Sequence, residues 1–184
     1  IADHPEIARH LATRVPAEKI TTIAYGAPPV VDAPEWAVLD HGLEPGSYLT
    51  LVARPVPENS ILEVVRAFSS RRWGRKLVVL GSYDPADAYQ RAVLEAASDE
   101  VVFLGAIYDT DIVSALRFHS VAYVHGHQVG GTNPSLVEAL GCGNAVIAHD
   151  NRYNRWVADA AALYFSDEAG IVSALERLLS EPEL

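Results

Sequence analysis

Methionine is absent from the chain, cysteine occurs once, and lysine and arginine together number 14 against 24 acidic residues. Each shortage removes a class of protein. A single cysteine, Cys142, cannot build a disulfide framework, and its Ala-rich surroundings read as a small buried hydrophobe in a reducing compartment, the cytoplasm. The net charge of -10 repels nucleic acid and anionic lipid, so any phosphate must be recognised by a local site of backbone amides and one or two arginines. Nowhere does an apolar run approach the roughly 18 residues that cross a bilayer, and charges scattered through residues 1–20 leave no signal peptide. With no initiating methionine, the 184 residues read as a segment excised from a longer polypeptide.

What is present is an apolar-rich chain, 49% hydrophobic, long enough for one substantial core. Short, nearly continuous apolar runs at 48–53, 77–80, 101–104, 121–124, 145–148 and 163–165 have the character of strands buried on both faces. Between them, apolar residues at helical spacing mark helices at 58–70, 85–97, 110–119, 133–140, 153–158 and 168–179. This alternation predicts an α/β fold, a Rossmann-like parallel sheet with helices on both faces, over residues 45–184. Ahead of it, Pro28, Pro29 and Pro34 interrupt residues 26–35. Residues 1–44, with a short helix at 5–13 and a strand at 20–23, are expected to be the tail of a preceding domain and its linker.

The chemistry concentrates in 125–143, which runs from a strand end into a helix: His125, Gly126, His127, Gln128, Val129, Gly130, Gly131, Thr132, Asn133, Pro134, Ser135, Leu136, Val137, Glu138 and onward to Gly143. Ligands of open parallel sheets sit outside the carboxyl ends of the strands. Glycines there admit a ligand close to the backbone, and the helix start, capped by Thr132 or Asn133, offers amides and a dipole to a pyrophosphate. Glu138, one turn along, is placed to accept from the hydroxyls of a ribose. An equally economical reading makes Ser135 and Glu138 a capping box and the glycines a tight turn. His125 and His127 lie two apart, with His149 and Asp150 at a neighbouring strand end, but no third metal ligand is evident and none is assigned. A nicotinamide cofactor is disfavoured because 52–59 contains no glycine. Pyridoxal phosphate needs a Schiff-base lysine, and neither Lys19 nor Lys76 is placed as one. No cofactor is expected.

The same segment resembles the signature of the retaining GT-B glycosyltransferases of family 4, in which two glutamates eight positions apart precede Ala-Met-Ala-x-Gly. Glu138, Ala139, Leu140, Gly141, Cys142 and Gly143 match its second half, whereas the first glutamate falls on Gly130. The run Gly130, Gly131, Thr132, Asn133, Pro134, Ser135 is similar to a subgroup that includes rhamnosyltransferases of bacterial surface-polysaccharide assembly. A second match lies at 51–60, where Arg54 takes the family's arginine position and Asn59 that of its lysine. Bottom-up, an arginine at a strand's carboxyl end suits a leaving diphosphate, and its bland alternative is a surface pair with Glu58. The likeness extends over about residues 45–180.

The resemblance implies the C-terminal, donor-binding half of a GT-B enzyme that works without metal. Its substrate would be a nucleoside diphosphate sugar. The acceptor, a saccharide or a lipid-linked molecule, would be held by the missing N-terminal domain, which would also place the enzyme peripherally at the inner membrane. Arg54 would stabilise the leaving diphosphate, with no general base identified. Asn59, Tyr108, Gly130, Gly131, Thr132, Asn133, Ser135, Leu136 and Glu138 would contact the donor, Tyr108 by stacking on the base. The alternatives are a non-catalytic nucleotide-binding module, favoured by Gly130, and a GT-B nucleotide-sugar epimerase.

Overall fold

The computed structural model describes residues 1–180. Its repeating part runs β1 (Tyr48–Val52), α3 (Ile61–Ser69), β2 (Lys76–Leu80), α4 (Ala88–Ala96), β3 (Val101–Gly105), α5 (Thr110–Phe118), β4 (Ala122–His125), α6 (Pro134–Gly141), β5 (Ala145–His149), α7 (Arg152–Ala158), β6 (Ala162–Phe165) and α8 (Glu168–Ser180). Two helices, α1 (Pro5–Leu11) and α2 (Trp36–Leu39), precede it. The strands form one sheet in the order β3-β2-β1-β4-β5-β6, every neighbouring pair parallel. This is the Rossmann-like α/β architecture expected from the alternation.

Strand residues sort between two faces because side chains alternate. Leu49 and Leu51 of β1, with Leu77 and Val79 of β2, pack against Ile61, Val64, Val65 and Phe68 of α3 and Ile171 and Leu175 of α8. Tyr48, Val78 and Leu80 turn to the other face and meet Leu116 of α5, to whose carbonyl the Tyr48 hydroxyl donates at 2.8 Å. Each fully buried aliphatic or aromatic side chain there contributes roughly 1.5–3 kcal/mol, which fixes the sheet and leaves the loops at its carboxyl edge free to carry a site.

The first 44 residues are more engaged than their composition indicates. Val38 of α2 and Leu43 join the cluster around Tyr48 and Leu116. A four-residue helix spans too little of a helical period to be read from sequence. The expected short strand at 20–23 is reduced to an isolated parallel bridge between Ala2 and Thr22. Residues 23–34 contain no helix or strand, as their prolines require, and lean on α6 through the Val30 amide, which donates to the Gly141 carbonyl at 2.8 Å.

Candidate functional site

The strand order reverses between β1 and β4, whose chain continuations leave the sheet toward opposite helix layers and open a crevice at the carboxyl edge. A cleft of about 640 Å³ occupies that place. Arg54, Glu58 and Asn59 line it from the β1–α3 turn, Ile107 and Tyr108 from beyond β3, and His127, Gly130, Asn133 and Ser135 from the β4–α6 loop and the first turn of α6. A second hollow of about 470 Å³ shares Val52, Ile107, Tyr108 and Ser135 with it and is walled by Arg117, Glu138, Cys142 and the linker residues Ala27 and Pro28.

The β1–α3 turn is held from below. Asn59 is buried, and its amide nitrogen donates to the Arg54 carbonyl at 2.8 Å. Gln128 beyond β4 clamps the same turn, its backbone amide on the Glu58 carbonyl at 2.9 Å and its side chain on Ser60. Asn59 thus shapes the backbone that presents Arg54, one of its two amide N–H groups being spent on that bond. Among the described residues Arg54 forms no ion pair, so the surface pairing with Glu58 does not occur.

At the start of α6 the cap is Asn133, whose side chain accepts from the Ser135 amide. Glu138 therefore takes no part in a capping box. Its carboxylate pairs instead with Arg117 of α5 at 2.9 Å; the Arg117 side chain is 5% exposed and that of Glu138 47%. Arg117 also donates to the Ser135 hydroxyl at 3.3 Å. The pair stands in the wall of the second hollow, leaving one Glu138 oxygen for a ligand hydroxyl. Gly130 borders the cleft at φ +139 with open space about it, a backbone that a glutamate would adopt only with strain.

Three expectations need correction. Leu136 points away from the cleft, fully buried against Val146, Ala148 and Ala158, because helical periodicity places it with Ala139 on the inner side of α6. Thr132 is buried as well, and its amide and hydroxyl donate to the carboxylate and the carbonyl of Asp3. Gly131 packs on that same carboxylate. The amides at 132 and 135 are thus occupied by protein groups, whereas free ones were expected. Tyr108 is 90% exposed at the junction of the two hollows, open for stacking.

Sequence reasoning missed Asp3, Arg117 and the role of the histidines. Asp3 reaches Thr132 from 129 residues away, which no local pattern shows. The His125 and His127 rings stack 4.4 Å apart at 7°. Among the described residues, both nitrogens of His125 and Nδ1 of His127 are buried without a partner. Burial holds His125 well below the usual imidazole range; burial and the nearby Arg54 charge hold His127 down to about 4. Both rings are neutral at pH 7. Among the described residues no three His, Cys, Asp or Glu side chains gather to hold a metal, and no helix is long and apolar enough to cross a membrane.

The neutral histidines set a pH dependence. Between about pH 6.5 and 4 the unfolded chain binds protons that the folded chain refuses, so their contribution is complete above pH 6.5 and is lost as pH falls toward 4. Each group is worth up to about 1.4 kcal/mol per pH unit in that window. Urea midpoints should fall steadily from pH 7 to pH 5, before carboxylates titrate; a flat midpoint over that range would contradict buried neutral histidines.

Residues 47–181 match the family model described as glycosyl transferases group 1. No curated protein sequence matches significantly. Among solved structures, sucrose-phosphate synthase from Thermosynechococcus elongatus aligns at TM-score 0.77 and 21% identity, over 99% of this chain and 49% of its own. Anabaena Alr3699/HepE, in complex with UDP and glucose, aligns at 0.82 and 13%, over 99% and 53%. A glycosyltransferase from Rickettsia africae aligns at 0.81 and 14%, over 98% and 53%. The chain therefore spans about half the length of these proteins, and the shared part has the fold of the C-terminal half of GT-B glycosyltransferases.

Proposed function

Because the chain belongs to the group 1 glycosyl transferases, we propose that residues 45–184 form the donor half of a two-domain enzyme that transfers a sugar from a nucleoside diphosphate to a saccharide or lipid-linked acceptor. The single observation that carries this reading is Arg54, an arginine without a carboxylate partner among the described residues, standing in the cleft at the strand-order reversal. The diphosphate lies beside Arg54, and the nucleoside extends into the second hollow, its base on Tyr108 and its ribose on the free oxygen of Glu138. The Anabaena neighbour's complex with UDP and glucose supports a donor of this class.

In this reading residues 1–44 end an acceptor-binding domain, and the enzyme belongs to the retaining family 4, near the rhamnosyltransferases of bacterial polysaccharide assembly. It works at the cytoplasmic side without metal or other cofactor. Transfer breaks the bond between the anomeric carbon and the diphosphate oxygen through an oxocarbenium-like state. The acceptor hydroxyl bonds to that carbon on the same face and gives its proton to the departing diphosphate. Arg54 stabilises the charge that develops on the leaving oxygen.

Arg54→Ala should weaken binding of UDP by about 1–3 kcal/mol, the range for a lost charge-assisted hydrogen bond, and leave uridine nearly unaffected. Calorimetric titration of both ligands checks this. Equal losses for the two would remove Arg54 from the diphosphate site.

A further inference from the structure

Of the described residues lining the cleft, only Arg54 and His127 are basic. Asn59 adds no charge, and one of its two amide N–H groups is spent on the Arg54 carbonyl. A diphosphate placed beside Arg54 in a protein of net charge -10 therefore meets one fixed cation and, close to it, an imidazole. That imidazole is held rigidly. Its ring lies flat on His125, and its backbone carbonyl accepts from the side-chain amides of Asn151 and Asn154, each at 2.9 Å. Its Nδ1 is buried and has no hydrogen-bond partner among the described residues.

We propose that His127 is the second cationic contact of the donor diphosphate, neutral in the empty cleft and protonated from solvent when the anion binds. The inference rests on the nucleoside diphosphate reading given above and adds a residue and a proton to it. Two influences keep the ring neutral, burial first and the Arg54 charge second. An arriving diphosphate compensates Arg54 and adds attraction of its own, which favours the charged ring. The groups around it set the rest of the field. Glu58 lines the same cleft. His125 lies beneath and is itself held neutral by burial and by the charges of His127 and His149. Asp150 and Glu63 bear on His149.

The probe is UDP-glucose, whose diphosphate is esterified at both ends and has no ionisation near neutrality, so that any proton taken up belongs to the protein. Titrating the unmodified protein at pH 6.0 in two buffers of different ionisation enthalpy should show uptake of half a proton or more per ligand. Affinity should rise as pH is lowered from 7.5 to 5.5, by up to about tenfold per unit. His127→Gln should bind several-fold more weakly at pH 6.0 and lose both the uptake and the pH slope, while His10→Gln, at an exposed histidine of α1 outside the cleft, should keep them. Binding of UDP-glucose to the unmodified protein without proton uptake would overturn the role of His127 and leave the donor site standing. Failure of UDP-glucose and of GDP-mannose to bind at all would overturn both.

Discussion

Gly126→Ala is expected to destabilise the protein by roughly 3 kcal/mol or more, the upper range for forcing volume into a packed site. A Cβ on Gly126 would overlap the Asn59 carbonyl oxygen and lie 3.1 Å from its carbonyl carbon, with the Ser60 Cβ at 3.2 Å. These are backbone and near-backbone atoms of the turn that presents Arg54, and they cannot swing aside as a long side chain would. The turn is bound on its far side by Asn59 to the Arg54 carbonyl, so moving it moves Arg54. For a chain of this size the loss corresponds to a Tm lower by about 6–12 °C. UDP affinity should fall in parallel. Gly26→Ala is the control, because nothing lies within 4 Å of its Cβ and it should stay within about 0.5 kcal/mol of the parent. If the two variants melted alike, the close approach of the β1–α3 turn and the β4–α6 loop would not be a constraint.

The second large effect concerns the Arg117–Glu138 pair. Glu138→Ala leaves the nearly inaccessible Arg117 guanidinium without its carboxylate, which is expected to destabilise by about 2 kcal/mol, below the 3–5 of a fully buried pair because Glu138 is half exposed. Arg117→Met removes the charge and leaves Glu138 to water, so the double variant should recover part of the Glu138→Ala loss. Denaturant melts of the four proteins give the coupling directly. Ligand binding separates support from recognition. Glu138→Gln should weaken a ribonucleoside diphosphate about tenfold and its 2′-deoxy analogue less, since only an acceptor facing the diol is weakened. If ribo and deoxy ligands lost equally, Glu138 would be only the partner of Arg117.

The sheet was legible because buried parallel strands are continuous apolar runs, and every expected run in 48–165 lies on an observed strand to within a few residues. The cleft was legible through Arg54 and the glycine-rich loop, whose positions follow from strand ends alone. What sequence could not show was whatever depends on distant packing. Arg117 sits between Leu116 and Phe118 and reads as a surface cation, yet the turn of α5 toward α6 buries it on Glu138. Asp3 meets Thr132 only through the tertiary path of the first residues. Leu136 was drawn into the site by its neighbours in the motif, although its spacing from Ala139 and Leu140 already describes the inner side of a helix. His125 and His127 have the spacing of metal ligands in sequence; only the fold shows that their rings stack and that both His125 nitrogens and Nδ1 of His127 are buried.

In the proposed donor site the charged part of a nucleoside diphosphate lies on Arg54. The most direct measurement titrates the unmodified protein with UDP, GDP, ADP and dTDP and with the four parent nucleosides at low salt, then repeats the best pair at about 0.3 M salt. One diphosphate should bind at least about tenfold more tightly than its nucleoside, equal to about 1.4 kcal/mol or one charge-assisted contact, and the advantage should shrink as salt screens the cleft. A protein that bound no nucleotide, or that bound nucleoside and diphosphate equally, would contradict it.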